Sequence, residues 1–347
     1  MHSVIREDLE YIISMPLDWN RLAGKTVLIA GAAGFLPAYI VETLLYLNDT
    51  LGLNVQIIAL VRNLEKAQRR FSTHAKREDL LMIHGDVSEP QSWPQSCHFI
   101  IHAASQASPK FYGIDPVGTM AANLLGTFHL LGQAHVWRSE CFLYFSSSEV
   151  YGEVSPKLVP TKESDYGYTD ITNPRSCYAE SKRAAETLGV SFATQHGVPF
   201  KVVRPFHTYG PGMALDDGRV FADFVRDAST GRNLQLRSDG KAIRAFCYLS
   251  DAVRGFFTVL LHESAAGAYN VGNPDGALSI AELAGLVVSL RPELSLKVEC
   301  TSRPSDDYVQ SPISINIPNI DKLKQLGWVP KYSPREGFDR TLRYFSS

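Results

Sequence analysis

The feature that most constrains this chain is an apolar run that ends in a glycine turn. Thr26–Ala30 (TVLIA) carries no charge and reads as a buried strand. Gly31-Ala32-Ala33-Gly34-Phe35-Leu36-Pro37 follows directly, and a helix is predicted from about Phe35 to Tyr46. Glycines let a backbone turn tightly and approach a pyrophosphate, while a helix N-terminus supplies N–H groups and a positive dipole end. Strand, turn and helix in this order predict a dinucleotide site, with Gly31, Gly34, Phe35 and Leu36 around the phosphates. An ordinary glycine turn is the plainer reading of the string alone, and the flanking elements argue against it. Pro37 stands where a small residue is usual, but proline is tolerated in a first helical turn, where its missing N–H has no intrahelical partner. Gly24-Lys25-Thr26 ends like a P-loop, yet no glycine lies five residues before it and it precedes the strand, so no ATP site is expected there.

Further apolar runs fit strands at Val55–Val61, Leu80–His84, His98–His102, Cys141–Ser146 and Phe200–Arg204, with helical stretches between them. Strands alternating with helices predict an α/β fold: a Rossmann-type, doubly wound parallel sheet. After Pro205 the pattern breaks into turn signals, Tyr209-Gly210-Pro211-Gly212 and Asp216-Asp217-Gly218. The expected organisation is an N-terminal helical extension (1–22, with a helix at Arg6–Met15), a dinucleotide-binding domain (23–204) and a smaller C-terminal substrate-binding lobe (205–347). Part of 243–275 is expected to return to the first domain. A chain of 347 residues with 45% hydrophobic and 20% charged residues is ordinary globular material.

Net charge is -2, so no global basic field favours nucleic acid or an anionic membrane. Acids at Glu7, Asp8 and Glu10 argue against a signal peptide, and no apolar run of about 20 residues predicts a membrane span. Five widely spaced cysteines without a Cys-x-x-Cys predict reduced thiols, no metal site and a cytoplasmic protein.

The end of the second strand normally carries an acid for the NAD ribose, but here it reads Val61-Arg62-Asn63. Arg62 suits the 2′-phosphate of NADP; a solvated surface arginine is an equal reading. Asp86 follows the third strand and suits an adenine amine. Val87, Ala103 and Ala104 complete the expected cofactor-binding set.

Ser146-Ser147-Ser148-Glu149 follows a strand, and Tyr178 and Lys182 open a helix about 30 residues on. Spacing of i and i+4 puts Tyr178 and Lys182 on one helical face. A phenol titrates near 10 and is a poor base at neutral pH. A neighbouring ammonium and a cationic nicotinamide are expected to lower it. Tyr178 then takes a proton from a substrate hydroxyl as hydride leaves the same carbon, and Ser147 shares that proton. Alone, the Tyr–Lys spacing reads as a helix contact; with the glycine turn and the serine run it reads as a redox pair.

At this point the chain resembles the extended short-chain dehydrogenase/reductase family, the NAD-dependent epimerases and dehydratases, and within it UDP-glucuronate decarboxylases. The likeness runs from about Lys25 to Phe345. It rests on IHAASQASPKFYGIDP (101–116), NLLGTFHLLG (123–132), SSSEVYGE (146–153), NPRSCYAESKRAAETL (173–188), TYGPGMALDDGRV (208–220), RAFCYLSDAV (244–253), YNVGNP (269–274) and LGWVPKYSPREG (326–337). The resemblance implies a tightly bound NAD or NADP, a nucleotide-diphosphate sugar as substrate, a homodimer and a role in polysaccharide biosynthesis. It implies that Tyr178 is the catalytic tyrosine and that Lys182 contacts the nicotinamide ribose. Ser147 and Glu149 would be the other catalytic groups. Tyr112 and Ser148 would lie by the sugar, Arg219 and Arg244 by the diphosphate, and Asn123 in the supporting network. His207 stands where the family usually has asparagine.

The family oxidises C4 of the sugar, which acidifies C5–H and makes a C6 carboxylate a β-keto acid. Decarboxylation, 4,6-dehydration and 4-epimerisation all start from that ketone, and a non-catalytic sugar-nucleotide binder is the reading from another class. Glu149 fits work at C5. Decarboxylases carry an arginine for the carboxylate where alignment on Leu326-Gly327-Trp328 and Pro318 puts Asn316. Ser148-Glu149 and Arg62 echo GDP-mannose dehydratases.

Overall fold

A computed structural model describes residues 1–300 and 313–346. Its centre is a sheet of seven strands: β1 (Thr26–Ala30), β2 (Gln56–Val61), β3 (Leu80–His84), β4 (Phe99–His102), β5 (Cys141–Phe145), β6 (Phe200–Pro205) and a later strand, Gly267–Val271. The order is Gly267–Val271, β6, β5, β4, β1, β2, β3, and every neighbouring pair is parallel.

Strand side chains alternate between faces, which β1 illustrates. Val27 and Ile29 pack into one apolar cluster, and Leu28 and Ala30 into another. The first cluster is closed by α1 (Ser3–Ile13), α2 (Phe35–Leu51) and the later helix Leu249–Leu261. After α3 (Leu64–Arg70) and α4 (Pro109–Ile114), α5 (Pro116–Trp137) and α6 (Cys177–His196) close the second. A sheet buried on both faces explains the near-continuous apolar strands.

Two helices differ in their bounds from the sequence expectation, and α1 is shifted towards the N-terminus, ending at Ile13 rather than Met15. α2 continues past Tyr46 to Leu51 and stops at Gly52, in the left-handed conformation. Tyr46 is not a breaker, so only that C-cap ends the helix. α1 begins at Ser3 because the His2 ring accepts a hydrogen bond from the Val4 N–H. In α2 the first helical bond runs from Ala38 N–H to the Gly34 carbonyl, so the Pro37 nitrogen lies where no intrahelical partner exists.

Beyond β6, a smaller sheet gathers β7 (His207–Tyr209), β9 (Ile243–Tyr248), β11 (Ala277–Ser279) and β13 (Ile315–Asn316). β8 (Leu234–Leu236) pairs with β12 (Val298–Cys300), and β10 is the edge strand Gly267–Val271 named above. With α7 (Val220–Ser229), α9 (Ile280–Ser289) and α11 (Pro334–Phe345) they enclose a third cluster around Phe221, Phe246, Leu283 and Phe338. α8 (Leu249–Leu261) and the short α10 (Asp321–Lys324) pack near β10 instead.

α1 fastens these parts together. Asp8, fully buried, accepts hydrogen bonds from Tyr39 of α2 (3.1 Å) and Tyr248 at the end of β9 (2.9 Å), and it pairs with Arg340 of α11 (2.8 Å). Tyr11 donates to Asp251 of α8 at 2.8 Å. No helix among the described residues is long and apolar enough to cross a membrane. Four cysteines are buried free thiols, and Cys300 is an exposed one.

Burial raises the Asp8 carboxyl from 3.8 to about 6, against the pull of Arg340 and the two phenols. A carboxyl raised on folding binds its proton more tightly in the folded chain. Its contribution to stability is therefore greatest below 3.8 and is lost as pH rises through about 6. Asp8→Ala should lower stability by about 3–5 kcal/mol, because Arg340 loses its buried partner. Asp8→Asn should cost less and flatten the pH dependence in that window. Urea denaturation at several pH values checks both; an unchanged Asp8→Ala midpoint would contradict the role given to this carboxylate.

Candidate active site

All seven strands of the large sheet end at one edge, and the chain places polar and turn residues there. Gly31 follows β1 with φ +80, and a Cβ on it would meet the Ala104 Cα at 2.6 Å. Ala104 follows β4, the strand beside β1 on the side opposite β2. Chain order along the sheet therefore reverses at β1, the usual place for a crevice in such a sheet. The backbone approach requires glycine at 31, and the Phe35 and Leu36 N–H groups at the start of α2 stay out of its ladder. These are the features a dinucleotide pyrophosphate needs, so NAD fits the residues present.

Arg62 follows β2 and is exposed. Its charge reaches Asp86 and Asp115. Asp86 accepts bonds from the backbone N–H (2.9 Å) and the hydroxyl (2.7 Å) of Ser88. Partial burial opposes ionisation of Asp86, but these bonds hold its carboxyl below the ordinary value. Val87 sits under α5, where a side chain on Gly126 would strike it. Ala103 is held by its N–H to the Ala30 carbonyl at 3.1 Å.

After β5, Ser147 caps a short turn (Ser148–Tyr151), accepting from the Glu149 N–H at 3.2 Å. Tyr178 and Lys182 lie on the buried face of α6. The Tyr178 ring stacks on Tyr112 of α4, with centroids 5.0 Å apart. Lys182 donates from Nζ to the Phe145 carbonyl at 2.6 Å, and Nζ lies 5.7 Å from the Tyr178 ring centre. Asn123 of α5 donates to the Ser181 hydroxyl at 2.9 Å, tying α5 to α6 behind the pair.

Burial dominates the electrostatics of this pair. Burial pushes the Tyr178 phenol up to about 12, while Ser147 and Arg219 lower it and Glu149 raises it. Burial likewise lowers Lys182 to about 7, opposed by Glu186. The Lys182 proton is aimed at the Phe145 carbonyl.

From the smaller sheet side, Arg219 precedes α7 and donates from Nε to Asp217 at 2.7 Å. Arg244 on β9 donates to the carbonyls of Ile243 (2.9 Å), Ser314 (3.1 Å) and Ile313 (2.7 Å). Between them His207 opens β7 with its Nδ1 enclosed and unbonded. Burial and the charges of Arg244 and Arg219 push that imidazole well below its ordinary value, so it is neutral. Asn316, paired in register with Arg244, donates to the Ser148 hydroxyl at 3.2 Å.

Sequence reasoning missed Arg175. Its Nη1 faces Glu149 Oε2 at 3.3 Å, and its guanidinium lies 5.9 Å from the Tyr112 ring centre. Its position three residues before Tyr178 was the available signal, since both flank the start of one helix.

Comparison with known proteins agrees with this geometry. Residues 27–272 match the family model of the NAD dependent epimerase/dehydratase family. UDP-glucuronic acid decarboxylase 6 of Arabidopsis thaliana is 36% identical over 315 residues, 90% of this chain and 86% of that protein. An epimerase of Methanothermobacter thermautotrophicus superposes with a TM-score of 0.80 at 23% identity, covering 99% of this chain and 95% of its own. The UDP-glucuronic acid 4-epimerase of Bacillus cereus, solved with UDP-glucuronic acid and NAD, gives a TM-score of 0.76 at 20% identity over 92% of this chain and 98% of its own.

Proposed function

Because the chain belongs to the NAD-dependent epimerase/dehydratase family, we propose that it oxidises C4 of a nucleotide-diphosphate sugar acid and then releases carbon dioxide from C5. The observation that carries this is Tyr178, stacked on Tyr112 with Lys182 Nζ 5.7 Å from its ring centre, at the strand ends where Ser147 caps the turn that carries Glu149. The likeness to UDP-glucuronic acid decarboxylases over 90% of the chain favours decarboxylation over the other outcomes of a C4 ketone.

Gly31, Gly34, Phe35 and Leu36 hold the pyrophosphate, with Asp86, Val87, Ala103 and Ala104 along the rest of the cofactor and Lys182 at its ribose. A bound NAD would supply the hydride acceptor for C4 and, once reduced, the hydride donor that closes the cycle. Tyr178, ionised, accepts the C4 hydroxyl proton through a bond shared with Ser147. Its raised pKa means that proton transfer depends on positive charge arriving next to the phenol, since burial opposes the phenolate. In the C4 ketone the C5–C6 bond breaks, its electrons form the C4–C5 double bond, and charge collects on the C4 oxygen. Tyr178, now protonated, donates a hydrogen bond to that oxygen. Glu149 manages the proton that enters C5. Arg219 and Arg244 meet the diphosphate, His207, Tyr112 and Ser148 line the sugar, and Asn123 steadies α6.

Residues 1–22 act as a clasp, 23–204 carry the cofactor and most of 205–347 the substrate, with 243–275 contributing to both. A homodimer is supported by apolar side chains left exposed on α5 and α6: Val117, Leu125, Phe128, Val136 and Val190. The first four recur at helical spacing on one face of α5. Arg62 supports acceptance of a 2′-phosphate, and thus of NADP alongside NAD.

Incubation with UDP-glucuronate should give carbon dioxide and a pentose nucleotide, read by product mass; dehydration or an unchanged mass would replace this reading. Tyr178→Phe should lower kcat by at least about a hundredfold, the scale of a lost acid–base group, while cofactor affinity stays near wild type. Near-normal turnover would remove Tyr178 from the mechanism. Arg62→Ala should weaken NADP more than NAD in a binding titration, and equal losses would argue for a plain surface arginine. Phe128→Glu should convert the dimer to monomer in sedimentation, whereas an unchanged mass would move the interface elsewhere.

A further inference from the structure

We propose that Arg175 is the residue that recognises the carboxylate on C5 of the sugar, the task that Asn316 cannot perform; this rests on the decarboxylase reading above. A carboxylate taken from water into an enclosed site needs a cation or several donors. Asn316 is neutral, and its amide is engaged with the Ser148 hydroxyl. Arg219 is clamped to Asp217. Arg244 spends donors on three backbone carbonyls.

Arg175 is differently placed. One corner of its guanidinium, Nη1, faces Glu149. Its Nε is enclosed and has no hydrogen-bond partner. A buried N–H left unpaired is costly, which argues for an acceptor that the protein itself does not supply. Nε and Nη2 together form the planar edge that grips a carboxylate with two parallel bonds. The same guanidinium lies 5.9 Å from the ring centre of Tyr112, whose ring stacks on Tyr178, so it is one ring away from the proposed catalytic tyrosine.

The pairing with Glu149 sets how hard Arg175 grips. A lone buried arginine would stabilise the carboxylate and oppose its loss as neutral carbon dioxide. Glu149 offsets part of that charge, so the carboxylate is oriented more than it is stabilised. Arg175 is thus a specificity-determining residue, and the Arg175–Glu149 pair ties recognition of C6 to the acid that serves C5.

The test uses the NAD-loaded enzyme, with UDP-glucuronate and UDP-glucose as probes that differ at C6. Calorimetric affinities and kcat/KM are measured for wild type, Arg175→Met and Arg175→Lys, with thermal melts to check folding. Arg175→Met should weaken UDP-glucuronate at least about tenfold while changing UDP-glucose by less than about threefold, a loss typical of one charged hydrogen-bonded contact. Arg175→Lys should recover part of the preference, because it keeps the charge and loses the fork. Should Arg175→Met not fold, the selectivity ratio of Arg175→Lys decides, and a ratio equal to wild type overturns the proposal. Equal losses for both sugars would make Arg175 only a counter-charge for Glu149 and also overturn it. A wild type that prefers UDP-glucuronate but releases no carbon dioxide would sink the proposed reaction and leave Arg175 to be judged by the affinities alone. A wild type indifferent to the carboxylate would overturn the proposal directly.

Discussion

The parallel direction of all seven strands is the constraint on which this molecule depends. Parallel strands need crossovers, and each crossover brings the chain back to the same starting edge. Every strand therefore delivers its C-terminal residues to the opposite edge. Gly31, Arg62, Asp86, Ala103 and Ser147 are far apart in sequence, yet each follows a strand of one sheet. Ser147 reaches Tyr178 because β5 ends beside the start of α6, and Lys182 one turn on bonds the last carbonyl of β5.

A second constraint keeps the smaller sheet in register with that edge. Asp8 bonds one residue from α2, one from β9 and one from α11. α2 begins at the glycine turn and β9 carries Arg244, so one carboxylate links the helix of the cofactor cradle to the strand of a proposed phosphate contact. The stored cost is visible in the raised pKa of Asp8. A helix that sequence could mark only as an extension thus stands between two halves of the site.

Local patterns were legible in the sequence, and contacts between distant segments were not. The glycine turn, the alternating strands and the i, i+4 spacing of Tyr178 and Lys182 are written in short windows. Asn316 departs from a family pattern, but its bond to Ser148 joins residues 168 apart, and no window contains both. The role of Arg175 is not legible locally because its partner Glu149 lies 26 residues away. The surroundings of Lys182 are hidden for a related reason. Helical spacing says that a lysine is near, but not that its ammonium is buried and directed at a carbonyl.

Those two buried groups bear on how the site works. A phenol raised to about 12 and an ammonium lowered to about 7 are both disfavoured in their charged forms. The neutral His207 on the other side adds no charge. Around Tyr178, fixed charge is held in ion pairs, Arg175 with Glu149 and Arg219 with Asp217. Paired charges of this kind orient a polar substrate without strongly favouring either its ketone or its carboxylate form. A low-dielectric site amplifies any charge that enters it, so charge brought by the ligands themselves would govern when Tyr178 gives up its proton. Proton transfer would then be tied to occupancy by both cofactor and sugar, and burial of Tyr178 and Lys182 is what makes that dependence steep.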